Sequence, residues 1–174
     1  FSAAGVAAGL KPSGKPDLAL VRSVPRAVGA AMWTANRVQA APVVVSKRHL
    51  ALSEPQAVVI NSGSANAAEI ALNRSIIALG SANAATGARG EADAEATAEG
   101  VAKELALSPE EVVVLSTGVI GVPIPLDRVL AGVRDASLAL SPSGGDAAAG
   151  AILTTDSGPK VAVAHGPGFT VGGM

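Results

Sequence analysis

Val112-Val113-Val114-Leu115-Ser116-Thr117-Gly118-Val119-Ile120-Gly121 is an aliphatic, mostly β-branched run that stops at two hydroxyls and a glycine. Residues Val112–Leu115 predict a strand, because β-branched side chains suit a pleated, packed surface. Ser116-Thr117-Gly118 predicts a sharp exit from it. A glycine after a strand lets the backbone turn abruptly and leaves an N–H pointing outward, and the neighbouring Thr hydroxyl can donate beside it. Two donors converging on one point are what a tetrahedral oxyanion needs. An ordinary strand-ending turn, with glycine supplying an unusual backbone angle, uses the same residues. The motif alone does not choose between the two.

Working outward, strands and helices alternate. Pro125 marks a helix start, with Leu126, Val129, Leu130, Val133 and Leu138 as its apolar face and Ser141–Gly145 closing it. Asp146–Leu153 predicts a short helix running into Thr154-Thr155-Asp156. Lys160–Ala164 and Phe169–Val171 predict two strands around Gly166-Pro167-Gly168. On the other side, Glu91–Leu105 is an Ala-rich helix with acids at its front, Lys103 near its back and a stop at Ser108-Pro109. Asp17–Arg22 and Ala27–Thr34 predict paired strands, Pro42 opens a Val43–Val45 strand, and Ala57–Ile60 gives another. Glu69–Leu79 has helical spacing between loop-like stretches. The expectation is a single α/β (α+β) domain over residues 1–174. Hairpin-like neighbours at both ends favour a mixed sheet over a doubly wound parallel one. Gly63-Ser64-Ala65-Asn66-Ala67-Ala68 recurs as Gly80-Ser81-Ala82-Asn83-Ala84-Ala85, a local duplication rather than a solenoid.

Composition narrows the chemistry. The 174 residues are 49% apolar, mostly Ala, Val, Leu and Ile, and the aromatics are Phe1, Trp33 and Phe169. Small aliphatics must pack closely and extensively to make a core, in layers or against another chain. A net charge of −1 without a basic run argues against nucleic acid or an anionic membrane surface as partner. The absence of Cys excludes disulfides and thiolate catalysis and fits a cytoplasmic location. With only His49 and His165, a His-rich zinc site is excluded within this chain, and no apolar stretch reaches the ~18 residues of a membrane span. The opening, Phe1-Ser2-Ala3-Ala4-Gly5, is no signal peptide and reads as part of a longer N-terminus.

Outside residues 116–121 the candidates are modest. Thr154-Thr155-Asp156 offers hydroxyls and a carboxylate for gripping an amino acid's polar ends, or equally for capping a turn. Lys160 reads as a solvated charge, His165 as an exposed loop residue, and Glu91, Asp93, Glu95 and Glu99 as a solvated helix surface rather than a metal cluster. Gly87-Ala88-Arg89-Gly90 is too short for a phosphate loop.

The order of motifs says more than any one of them. Ala3-Ala4-Gly5 with Asp17–Val21, Thr34-Ala35-Asn36 with Ala40–Val43, Val58–Gly63 with Thr86-Gly87, Ser116–Gly121 with Pro125-Leu126-Asp127, Ala151–Asp156 with Pro159-Lys160, and Thr170–Met174 resemble, in sequence order, the ornithine acetyltransferase (glutamate N-acetyltransferase) family. The resemblance covers the whole chain. It implies a layered α/β/β/α-type sandwich with mixed sheets, in which this is the α chain and a β chain of the same self-cleaved precursor completes the fold. It implies acetyl transfer from N-acetylornithine to glutamate, in arginine biosynthesis, by a ping-pong route through an acetyl-Thr on the β chain. The free α-amine of that Thr, with an ordinary pKa of ~7.7–8.0, would serve as its base. Thr117 and Gly118 carry over as oxyanion donors and Thr154 as a substrate contact, with no cofactor, no metal, and a hetero-oligomer (heterotetramer) of α and β chains. The same resemblance places the cleavage site shortly beyond Met174. Removing Ser64–Gly80 restores a family-like run, which marks 64–80 as an insertion. A self-processing aminopeptidase or a secondary-metabolism acetyltransferase of the same fold, and a structural subunit that only completes a partner's core, are the competing readings.

Overall fold

A computed structural model describes residues 1–63, 87–120 and 122–174. Strands β1 (Ser2–Val6), β2 (Leu18–Arg22), β3 (Ala57–Ser62) and β4 (Val112–Thr117) form one mixed sheet in that spatial order. β1 and β2, and β2 and β3, pair antiparallel, whereas β3 and β4 are parallel, in register from Ala57 opposite Val112 to Ser62 opposite Thr117. A parallel pair needs a long crossover, and the connection contains helix α2 (Gly87–Leu105). Helix α1 (Ala41–Leu52) precedes β3, and helices α3 (Leu126–Leu138) and α4 (Gly145–Ala151) follow β4. β5 (Ala162–Gly166) and β6 (Phe169–Gly173) make the expected hairpin, as a separate two-stranded sheet. The architecture is mixed α/β, as the sequence predicts.

Strand alternation gives the sheet two unlike faces. Leu18, Leu20, Val59, Val112 and Val114 pack beneath α1, α2 and α3, against Val45, Ala98, Val101, Val129 and Val133. Each such buried valine contributes about 1.5–3 kcal/mol. On the opposite face Ala3 and Ala19 meet Ala148 and Ala151 of α4. That approach is at backbone distance: a Cβ on Gly5 would fall 2.0 Å from the Ala147 carbonyl oxygen, and one on Gly144 1.8 Å from that of Ala3. Glycine at both positions and alanine along α4 are what the spacing admits. Past α4 this second face is only partly covered. Val21, Val58, Ile60 and Val113 are half-buried and Leu115 is 41% exposed.

Several expectations are corrected. Residues Val43–Val45 are not a strand but lie in α1, where Pro42 occupies the first turn, a position that needs no N–H. Ala27–Thr34 forms no strand. Instead the Gln56 side chain accepts from the Ala27 N–H (3.0 Å) and donates to its carbonyl (2.8 Å), standing in for a neighbouring strand. β2 pairs with β1 and β3. Leu138 is 88% exposed, with Ala136 buried in its place. At about 100° per residue Leu138 lies about 180° around the helix from Val129. The α2 helix begins at Gly87, so its first turn carries no acid. Asp93 on it is buried and Glu95 is paired, so they are not simply solvated charges. His165 sits in β5, exposed, with Nδ1 3.0 Å from the Thr170 hydroxyl. The helix predicted at 69–79 and the repeated element, apart from its first residue Gly63, lie outside the described residues.

Candidate functional site

Because β3 and β4 run parallel, their C-terminal ends open at the same end of the sheet. That end is where open α/β sheets place ligands. Val112 and Val114 face the helices, so Val113, Leu115 and Thr117 face the other way. Thr117 therefore stands, exposed, at the open end of the partly covered face. Its carbonyl accepts the Gly63 N–H at 2.8 Å, which fixes the strand end. Gly118 follows at φ +146°, a conformation an L side chain rarely adopts, so the backbone itself requires glycine there. The Thr117 hydroxyl and the Gly118 N–H are thus consecutive donors at a forced exit from β4.

The platform beneath them is held from the helix side. Among the described residues β4 is an edge strand, and side chains of α1 satisfy its outer backbone groups. The Ser46 hydroxyl donates to the Val114 carbonyl (2.9 Å) and accepts the Val114 N–H (3.0 Å). His49, buried, donates through Nδ1 to the Val112 carbonyl at 2.9 Å, and its Nε2 lies 3.1 Å from Glu95 of α2. Arg48 pairs with the same carboxylate. At the strand's base Glu111 is held below the usual glutamate pKa by the Ser108 backbone N–H and then by the Arg26 guanidinium. These contacts anchor the strand from Glu111 to Val114.

Thr154 lies in the turn after α4, half-buried. Its segment reaches the Thr117 end through Ser62, which is paired opposite Thr117 and whose hydroxyl donates to the carbonyl of Ala151, the last residue of α4. The Lys11 ammonium reaches the same carbonyl at 3.5 Å and the Pro16 carbonyl at 2.7 Å. Burial pushes that ammonium below the usual lysine pKa. The loop carrying Lys11 is wound around Asp17, whose fully buried carboxylate accepts the N–H groups of Ala8, Leu10 and Lys11 at 2.6–2.8 Å. A cavity of about 180 Å³ is lined by Ile152, Leu153, Asp156, Lys160 and Met174 among others, and Thr154 is not part of its lining. Lys160 is exposed, as expected, and pairs with Asp156. Sequence reasoning missed Ser62, Lys11, Asp17, Ser46 and His49 as structural parts of this end of the molecule. Ser62, Lys11, Ser46 and His49 bond backbone far away in sequence, which no local spacing reveals, whereas Asp17 bonds the loop just before it. Among the described residues no group of three or more His, Asp or Glu is placed to hold a metal ion, and no helix is long and apolar enough to cross a membrane.

Comparison with known proteins fits this geometry. The model of the ArgJ family matches residues 2–71 and 68–174. The chain is 47% identical over its full length to the arginine biosynthesis bifunctional protein ArgJ of Streptomyces avermitilis, of which it covers 41%, and 44% identical to that of Symbiobacterium thermophilum, of which it covers 40%. The chain thus spans about two-fifths of the length of these relatives. Among solved structures, ornithine acetyltransferase of Mycobacterium tuberculosis, complexed with ornithine, superposes with a TM-score of 0.85 at 42% identity, over 99% of this chain and 86% of that one. The Bacillus halodurans arginine biosynthesis bifunctional protein ArgJ gives 0.80 at 33% identity, over 99% and 83%. With the family model spanning nearly the whole sequence and the fold shared, this chain belongs to the ArgJ family.

Proposed function

We propose that this chain is the α part of a glutamate N-acetyltransferase that moves the acetyl group of N2-acetyl-L-ornithine to L-glutamate. The observation that carries the reading is the forced glycine exit at the open end of β4, directly after the exposed Thr117. The nucleophile is a Thr at the head of a β chain cut from the same precursor. Its hydroxyl attacks the acetyl carbonyl while its own α-amine takes the hydroxyl proton. The tetrahedral oxyanion is held by Thr117 and Gly118, and the amine of ornithine leaves with the proton, so the acetyl group remains on the Thr. Glutamate's amine then attacks that ester and restores the free hydroxyl. Both halves of this ping-pong sequence pass through an oxyanion, so one pair of donors serves both. Thr154 contacts substrate, and the route needs neither metal nor cofactor.

Two observations support the partner and substrate, and a third supports the insertion. The Mycobacterium structure was solved with ornithine, and its chain is about half as long as the Streptomyces relatives, as a divided precursor would be. The half-covered sheet face, with Leu115 and Thr117 exposed on it, is where the second sheet of an α/β/β/α sandwich would lie. The family match, in two pieces that meet at residues 68–71, fits an insertion at 64–80. A cytoplasmic αβ hetero-oligomer, of heterotetramer size, completes the reading. The test is to incubate the full-length purified protein with N-acetylornithine, with and without glutamate, and follow ornithine. Release of ornithine matched by N-acetylglutamate is expected. Hydrolysis of peptides without acetyl transfer would favour the aminopeptidase reading, and no turnover of either kind the structural-subunit reading.

A further inference from the structure

Two side chains converge on one carbonyl at the end of α4. The last carbonyls of a helix have no partner within it. The carbonyl of Ala151 instead receives the Ser62 hydroxyl and, at 3.5 Å, the Lys11 ammonium. A positive charge at a helix C-terminus also complements its dipole. Ser62 is fully buried. Its backbone is fixed independently, with its N–H donating to the Asp17 carbonyl at 2.7 Å, while Asp17 is itself anchored through three backbone N–H groups. The hydroxyl is therefore free to serve a different purpose from holding β3 in place. Ser62 lies opposite Thr117 across the parallel pair, and Ala151 is the last helical residue before the turn that carries Thr154.

We propose that Ser62 is a positioning residue for acetyl transfer: its bond to Ala151 sets the Thr154 segment relative to the Thr117–Gly118 donors, with Lys11 as its support. This rests on the acetyltransferase reading above. A side chain joining the element that stabilises charge to the element that grips substrate fixes how far apart they stand. Displacing a group that holds substrate equally in the ground and transition states raises KM and leaves kcat nearly unchanged. Ser62 touches neither substrate nor reacting atoms, so its loss acts through Thr154.

The test uses Ser62→Ala in the full-length processed enzyme. KM for N-acetylornithine should rise about tenfold while kcat stays within about twofold, the pattern of weakened substrate binding. Amide hydrogen exchange at Ile152–Thr154 should quicken, with β3 and β4 unchanged. If Ser62→Ala does not fold, Lys11→Met carries the same test, with a KM rise of about threefold expected from the longer contact. An unchanged KM, or a fall in kcat at constant KM, overturns the proposal. A wild-type enzyme that does not transfer acetyl from N-acetylornithine to glutamate overturns the underlying reading as well. Normal wild-type transfer with an unaffected variant overturns this inference alone.

Discussion

Thr117→Ala separates chemistry from folding more cleanly than any other change at this site. The side chain is exposed at the end of β4, and the interactions fixing the strand there use backbone atoms that alanine keeps, including the Thr117 carbonyl that accepts the Gly63 N–H. Core packing lies on the alternate residues Val112 and Val114, so stability should change by no more than about 0.5 kcal/mol. Catalysis should change much more. Loss of one oxyanion donor typically costs ~10²–10³ in kcat, or about 2.7–4 kcal/mol. The Gly118 N–H remains, so activity should fall by that factor rather than vanish. KM for N-acetylornithine should stay near the wild-type value, because the bond forms mainly in the transition state. The assay is pre-steady-state: ornithine release without glutamate reports acetylation of the nucleophile, and glutamate-triggered discharge reports deacetylation. Both should slow. The proposed self-cleavage of the precursor would itself be an acyl shift, so the variant is assayed on fully processed protein. Wild-type kcat in both half-reactions would remove the hydroxyl from the mechanism.

Other expectations follow from the same geometry. Thr154→Ala should raise KM for N-acetylornithine more than it lowers kcat, since the residue is assigned to holding substrate; steady-state kinetics decide this, and a pure kcat effect would contradict it. Glu111 has its carboxyl pKa lowered in the folded state by the Ser108 N–H and Arg26, so its stabilising contribution is full above the unfolded value near ~4.3 and is lost as pH falls through the lower folded value. Urea unfolding of Glu111→Gln should therefore show its deficit at neutral pH and converge with wild type in acid, and a deficit that does not shrink in acid would refute the assignment. Deleting Ser64–Gly80, proposed as an insertion, should leave soluble, active enzyme, and loss of soluble protein would show that the segment is part of the core.

What the sequence disclosed and what it hid divide along a physical line. Val112–Leu115 and Ala57–Ile60 were legible because their β-branched runs fill a sheet from both faces, and Ser116-Thr117-Gly118 because glycine at a strand end has a backbone meaning. The helix at Ala41–Leu52 was not. Its buried positions Ala41, Pro42, Val45, Ser46 and His49 have helical spacing, but two of them are polar, and the triple valine within mimics a strand. Ser46 and His49 are inside because they bond the backbone of β4, a pairing visible only once helix and strand are together. Residues Ala27–Thr34 looked like a strand for lack of polar residues, yet the partner of Ala27 is the Gln56 side chain. At the site, Thr117, Gly118 and Thr154 could be named through the resemblance. The Ser62–Ala151 link between them could not, because it joins residues 89 apart in sequence.

Acetyl transfer through a Thr at the head of a β chain can be read from the intact mass of the full-length purified protein after exposure to N-acetylornithine alone. Two fragments are expected, the C-terminal one beginning with Thr and heavier by one acetyl group. Peptide mapping should place that group on the Thr, and added glutamate should discharge it as N-acetylglutamate. An uncut chain, or an unmodified C-terminal fragment in an enzyme that transfers acetyl only when both substrates are present, would contradict it.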